Sequence, residues 1–183
     1  TLGGNLCNAS PAGDMLTPLI ALDAEVELAR LETGGEVASR RVPVAAFFTG
    51  PGRTVREPSE LLVAVWVPVA PADQVRGFYK GGTRHALDIS SISIAFAARR
   101  GSDARLRDVR LALGAVAPTP IRARTAEADL EGVTLNSAST ARAAELAATV
   151  DAKPIDDVRA SAWYRRELLR NMTQRMLDDV ARH

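Results

Sequence analysis

The sequence is short of the residues that build metal and disulfide chemistry. Its 183 residues hold one cysteine, Cys7, and two histidines. A lone cysteine cannot close an internal disulfide, and one thiol with two imidazoles is too few soft ligands for a zinc or iron–sulfur site. A surplus of either charge is also missing, since 23 basic residues face 22 acidic ones. That balance argues against a non-specific nucleic-acid or anionic-membrane binder, which needs a basic excess or stripe. No apolar run approaches the roughly 20 residues of a membrane span, and no signal peptide is recognisable. Also absent are a nucleophile elbow, a Walker loop, an HExxH pair and two carboxylates at a convincing spacing. The expectation is a metal-free cytoplasmic chain with no nucleic-acid partner and no membrane span.

What is present begins with a hydrophobic fraction of 46%, enough to bury a core as one large domain or two small ones. The first fourteen residues, TLGGNLCNASPAGD, combine paired glycines with Asn5, Asn8, Ser10 and Asp14. Glycines let a backbone turn tightly and bring its N–H groups close to an anion or a sugar. The same residues also suit an ordinary turn followed by a helix entrance. Cys7 reads as a small loop or core residue.

Along the chain, 13–22 has helical spacing, with Pro18 confined to the first turn. Residues 24–31 and the stretch through Val37 and Val42 read as a hairpin around Thr33-Gly34-Gly35. PVAAFF at 43–48 gives about one helical turn. LLVAVWVPV at 61–69 is the most apolar strand and is expected to be central. Two prolines and small residues at 68–74 mark a seam. Three strands follow, at 75–80, 89–99 and 106–116. In the second, Ile92, Ile94 and Phe96 alternate with Ser91, Ser93 and Ala95, which predicts one covered and one open face. Helices are expected at 123–131, 139–150 and 161–182. The last places Leu168, Leu169, Met172, Met176 and Val180 on one stripe, read as core.

The segment from Lys80 to Asp88 gathers cations and an acid beside Gly81-Gly82. Lys80 can serve a ligand or the fold equally well, because a fixed cation stabilises negative charge in either place. Arg84 with Asp88 reads as a structural ion pair, and His85 as a solvated loop residue.

Taken together, these stretches resemble one family. TLGGN with Ser10-Pro11, then Phe47-Phe48-Thr49-Gly50, Glu60-Leu61-Leu62 leading to Val67-Pro68, Phe78-Tyr79-Lys80 with Arg84 and Asp88-Ile89, and Ser161-x-x-Tyr164-Arg165-Arg166 occur in order over essentially the whole chain. This series is similar to the FAD-binding medium subunit of molybdenum hydroxylases, the family of xanthine dehydrogenase and aerobic carbon-monoxide dehydrogenase.

The resemblance implies an α+β fold. Residues 1–70 would be the second lobe of a PCMH-type FAD-binding domain. Residues 75–183 would be a C-terminal domain with a three-stranded antiparallel sheet covered by helices. It implies FAD as cofactor, held by Thr1, Leu2, Gly3, Gly4, Asn5, Asp14, Leu62 and Lys80, with no catalytic acid, base or nucleophile. Asp14 would accept hydrogen bonds from cofactor hydroxyls, and Leu62 would lie against the cofactor. The activity implied is that of an oxidoreductase subunit passing electrons through FAD to NAD+, a quinone or oxygen. Its partners would be a molybdenum–pterin large subunit and a 2Fe-2S small subunit. The family's earlier Gly-rich motif, in a first lobe, is not in these residues, so the chain reads as N-terminally truncated and inactive alone. The competing expectation is a truncated structural or interaction module that binds no flavin.

Overall fold

The computed structural model describes all residues except 83, 85–87 and 183; His85 therefore lies outside the described residues. The chain opens in a helix, α1 (Leu2–Asn8), rather than in the glycine turn expected there. Two glycines are poor helix residues, but Thr1 compensates as N-cap. Its hydroxyl accepts from the Gly4 N–H at 3.1 Å and its carbonyl from the Asn5 N–H at 3.0 Å. Ala9, in the left-handed region at φ 46°, ends the helix. The expected second helix, α2 (Leu16–Ala21), carries Pro18 in its first turn.

β1 (Glu25–Leu31) and β2 (Val37–Pro43) form the expected hairpin and run on into the single turn α3 (Val44–Phe47). A short pair that the sequence did not announce follows, β3 (Phe48–Gly50) with β4 (Arg53–Thr54). β5 (Leu61–Trp66) then pairs antiparallel with β1. The sheet order is β2-β1-β5, so the most apolar strand is an edge and not the centre. Its outward side chains stay in water, Leu61 at 70% and Val63 at 55% exposure.

The second sheet has the three expected long strands, β6 (Gln74–Gly81), β7 (Ile92–Arg100) and β8 (Leu106–Gly114). A two-residue strand, β9 (Ile121–Arg122), extends the antiparallel order β6-β7-β8-β9. Helices α4 (Arg124–Leu130), α5 (Ser137–Leu146), with a π-helical turn at Ala147–Asp151, and α6 (Ala162–Arg182) cover one face. Ile92, Ile94, Phe96, Leu111 and Leu113 are buried there against Leu169, Met176 and Leu177 of α6, as the helical stripe implied. Packing is close enough that a Cβ on Gly77 would sit 2.8 Å from Met176 Cγ.

The other face of β7 is not open. Ala95, Ala97 and Ala112 belong to the same buried cluster as Leu16, Leu19 and Ile20 of α2, together with Val26 and Leu28 of β1. Small residues sit on this face because a helix from the first block lies directly on it. Thr17 and Ser93 share a buried hydroxyl contact at 3.3 Å, which satisfies two polar groups without solvent. Asp23 adds a second link, accepting from Arg110 and, at 3.3 Å, from Arg122.

Candidate cofactor site

Where α1, β5 and the start of β7 come together, the fold collects most of the polar residues singled out in the sequence. Thr1 is spent on capping, so it acts on α1 through its oxygens. The N–H groups of Leu2 and Gly3, first in the helix, have no intrahelical carbonyl to bond. Gly3 faces Leu62: a Cβ built at Gly3 would stand 3.8 Å from Leu62 Cδ2. Gly4 has a different reason to be glycine, because its Cβ would come within 2.9 Å of Thr1 Oγ1. Asn5 reaches forward and accepts from the Met15 N–H at 3.2 Å, fixing the loop that carries Asp14. Cys7 is exposed on α1.

Asp14 meets Lys80 across the seam between the two blocks. Lys80 Nζ donates to Asp14 Oδ2 at 2.9 Å and to the Asp88 carbonyl at 2.7 Å. Ser90, which the sequence did not single out, donates to Asp14 Oδ1 at 2.9 Å. The Asp14 side chain nonetheless stays half exposed at 51%. Arg84 lies 4.0 Å from Asp88, and its backbone N–H donates to the same carboxylate at 3.1 Å. This is the structural ion pair expected there.

Two acids, buried Glu60 and partly buried Asp157, tie the surroundings together. Glu60 accepts a two-pronged contact from Arg40, at 2.6 and 2.9 Å, and one from the Glu57 N–H at 2.8 Å. The Arg40 hydrogen bonds outweigh the cost of burial and pull its carboxyl down to about 2. This anchor fixes the start of β5 and so the placement of Leu62. Arg165, in the motif that opens α6, is buried and donates to the carbonyls of Ser91 and Ala115, at 3.1 and 2.6 Å, and to Asp157 at 2.7 Å. Burial would raise the Asp157 carboxyl, but hydrogen bonds from Arg159, Ala160 and Arg165 hold it well below the usual range. Its neighbour Tyr164 stays largely exposed.

Two family descriptions match the chain. Residues 1–70 match the FAD binding domain in molybdopterin dehydrogenase, and residues 77–180 match the CO dehydrogenase flavoprotein C-terminal domain. The chain belongs to the FAD-binding subunit family of the molybdenum hydroxylases.

Among relatives of this flavoprotein, the xanthine dehydrogenase FAD-binding subunit of Escherichia coli O157:H7 is 36% identical over 98% of the chain and 60% of its own length. The glyceraldehyde dehydrogenase medium chain of Sulfolobus acidocaldarius is 34% identical over 99% and 61%. Among solved structures, carbon monoxide dehydrogenase from Hydrogenophaga pseudoflava superposes with a TM-score of 0.87 at 30% identity, covering 97% of this chain and 59% of that one. Quinoline 2-oxidoreductase from Pseudomonas putida 86 gives 0.86 at 29%, covering 100% and 60%. The flavoprotein chain thus spans about 60% of the length of the curated relatives it matches. FAD is the cofactor of the family, and no helix among the described residues is long and apolar enough to cross a membrane.

Proposed function

We propose that this chain forms part of the flavin stage of a cytoplasmic molybdenum hydroxylase. In this reading residues 1–70 are the second lobe of the FAD-binding domain, and 75–183 the C-terminal domain that closes against it. The observation that carries the reading is that α1 meets Leu62 at Gly3 and, through Asn5, holds the loop whose Asp14 pairs with Lys80. The residues suit a flavin dinucleotide. Leu2 and Leu62 give an apolar wall, Gly3 keeps that wall free of a side chain, and the α1 N–H groups and Asp14 offer donors and an acceptor.

FAD, when bound, would supply the redox chemistry that carries electrons from the iron–sulfur clusters of a small subunit to NAD+, a quinone or oxygen. Those electrons originate at a molybdenum–pterin centre on a large subunit. This chain's residues position. Lys80 neutralises Asp14, so that the carboxylate accepts a cofactor hydroxyl without repelling a nearby phosphate. The fixed Glu60–Arg40 anchor keeps Leu62 at a constant distance from α1. No side chain in the site has to act as acid, base or nucleophile.

The open apolar edge of β5 and the share of the relatives covered both support a cofactor surface completed by a first lobe. Two measurements test the proposal by flavin fluorescence. In the FAD-loaded complex, Lys80→Met weakens FAD by about ten-fold, the loss of one charged hydrogen bond; unchanged affinity contradicts the assigned site. The 183-residue chain alone binds FAD more weakly than micromolar, and tighter binding overturns the two-lobe reading.

A further inference from the structure

Ser90 is fully buried, just ahead of β7, and its hydroxyl is given to a carboxylate that is itself half exposed. A buried hydroxyl ordinarily finds a nearby backbone carbonyl. This one instead reaches 76 positions back along the chain, to Asp14. Lys80 holds the other oxygen of that carboxylate, and the Asp88 carbonyl fixes Lys80 in turn. The Asp88 side chain lies against Gly82, where a Cβ would fall 2.5 Å from its Oδ2. A carboxylate accepts at about four lone-pair positions. One per oxygen is taken from the C-terminal side, and the side chain is still half exposed.

We propose that Ser90 is a positioning residue, which with Lys80 clamps both Asp14 oxygens so that their free lone pairs meet a hydroxyl of the cofactor's polyol chain. This rests on the reading of Asp14 as a cofactor contact. An unclamped aspartate on a loop loses rotamer freedom when a ligand binds; a clamped one has lost it already, so the ligand binds more tightly. Because the clamp comes from the second block, it also makes affinity for the cofactor depend on how closely the two blocks are joined.

The test is a double-mutant cycle on the deflavinated holoenzyme complex, reloaded with FAD and followed by flavin fluorescence. S90A weakens FAD by about 3- to 10-fold, the worth of one hydrogen bond. S90C, close in volume but a weak donor, falls between S90A and the parent. D14A weakens FAD by more than S90A, and S90A/D14A matches D14A within about two-fold. A loss from S90A that persists undiminished in the D14A background shows that Ser90 acts through packing, and overturns the clamp. So does an S90A variant of parental affinity. In both cases D14A still weakens FAD and the site reading stands. D14A of parental affinity removes both. If S90A lowers the melting temperature of the flavin-free complex, the cycle is run with S90C.

Discussion

The two sheets of this chain are built from similar apolar alternation and end in opposite situations. The β6–β9 sheet is covered on both faces, by α4–α6 on one side and α2 on the other, and β7 is buried from Ile92 to Ala98. The β2-β1-β5 sheet is covered on one face only, and its edge strand exposes Leu61 and Val63. Contiguous apolar surface left in water is where docking is favoured. The difference divides the labour: one sheet is a frame, and the other presents a surface. The candidate residues sit where the frame reaches across to hold that surface, at Asp14, Lys80 and Ser90.

Substitutions separate the two sheets by magnitude. Phe96→Ala, in the frame, is expected to cost about 3–5 kcal/mol, the sum of lost burial and a residual cavity; a urea midpoint shift worth less than a third of that contradicts a fully packed frame. Ala97→Leu, on the face occupied by α2, overpacks the seam and costs about 1–3 kcal/mol. A neutral result in thermal melting means that α2 is not seated on β7.

Glu60→Gln loosens the start of β5 by about 1–2 kcal/mol at neutral pH. The sign of its pH dependence follows from a folded value of about 2 against an ordinary 4.5. Its stabilisation is present above about 4.5 and fades as the pH falls toward 2. Parent and variant stabilities should therefore converge in acid, and curves that stay parallel exclude this origin. Leu61→Ser, on the presented surface, changes stability by less than about 0.5 kcal/mol. A larger loss means that Leu61 belongs to the frame.

Much of the architecture was legible in the sequence because periodicity and breakers agreed. The hairpin, Pro18 in a first turn, the three long strands and the α6 stripe all stand where the pattern put them. The errors share a physical cause. The pattern of Ser91, Ser93 and Ala95 predicts an open face, because small and polar residues suit both a solvated face and a face crowded by a helix. The apolar run 61–69 predicts a central strand, but apolarity does not report sheet order, and β5 is an edge strand with Leu61 and Val63 exposed. Gly3 and Gly4 suggested a turn, but the cap from Thr1 tips the balance to a helix. The Asp14–Lys80 contact joins positions 66 apart, a distance at which no local pattern carries information. Ser90 gave no signal at all, since an isolated serine before a strand looks like any other.

One irregularity of β5 has a bearing on solubility. Against β1, Leu62 pairs with Leu28 and Ala64 with Glu27, so Val63 is left over as a bulge. An exposed apolar edge with regular spacing is a template on which a second copy can lay its own strand. A bulge breaks that repeat and increases the local twist, so two such edges cannot zip together over their length. The Val63 bulge therefore works against edge-to-edge pairing of two copies along β5.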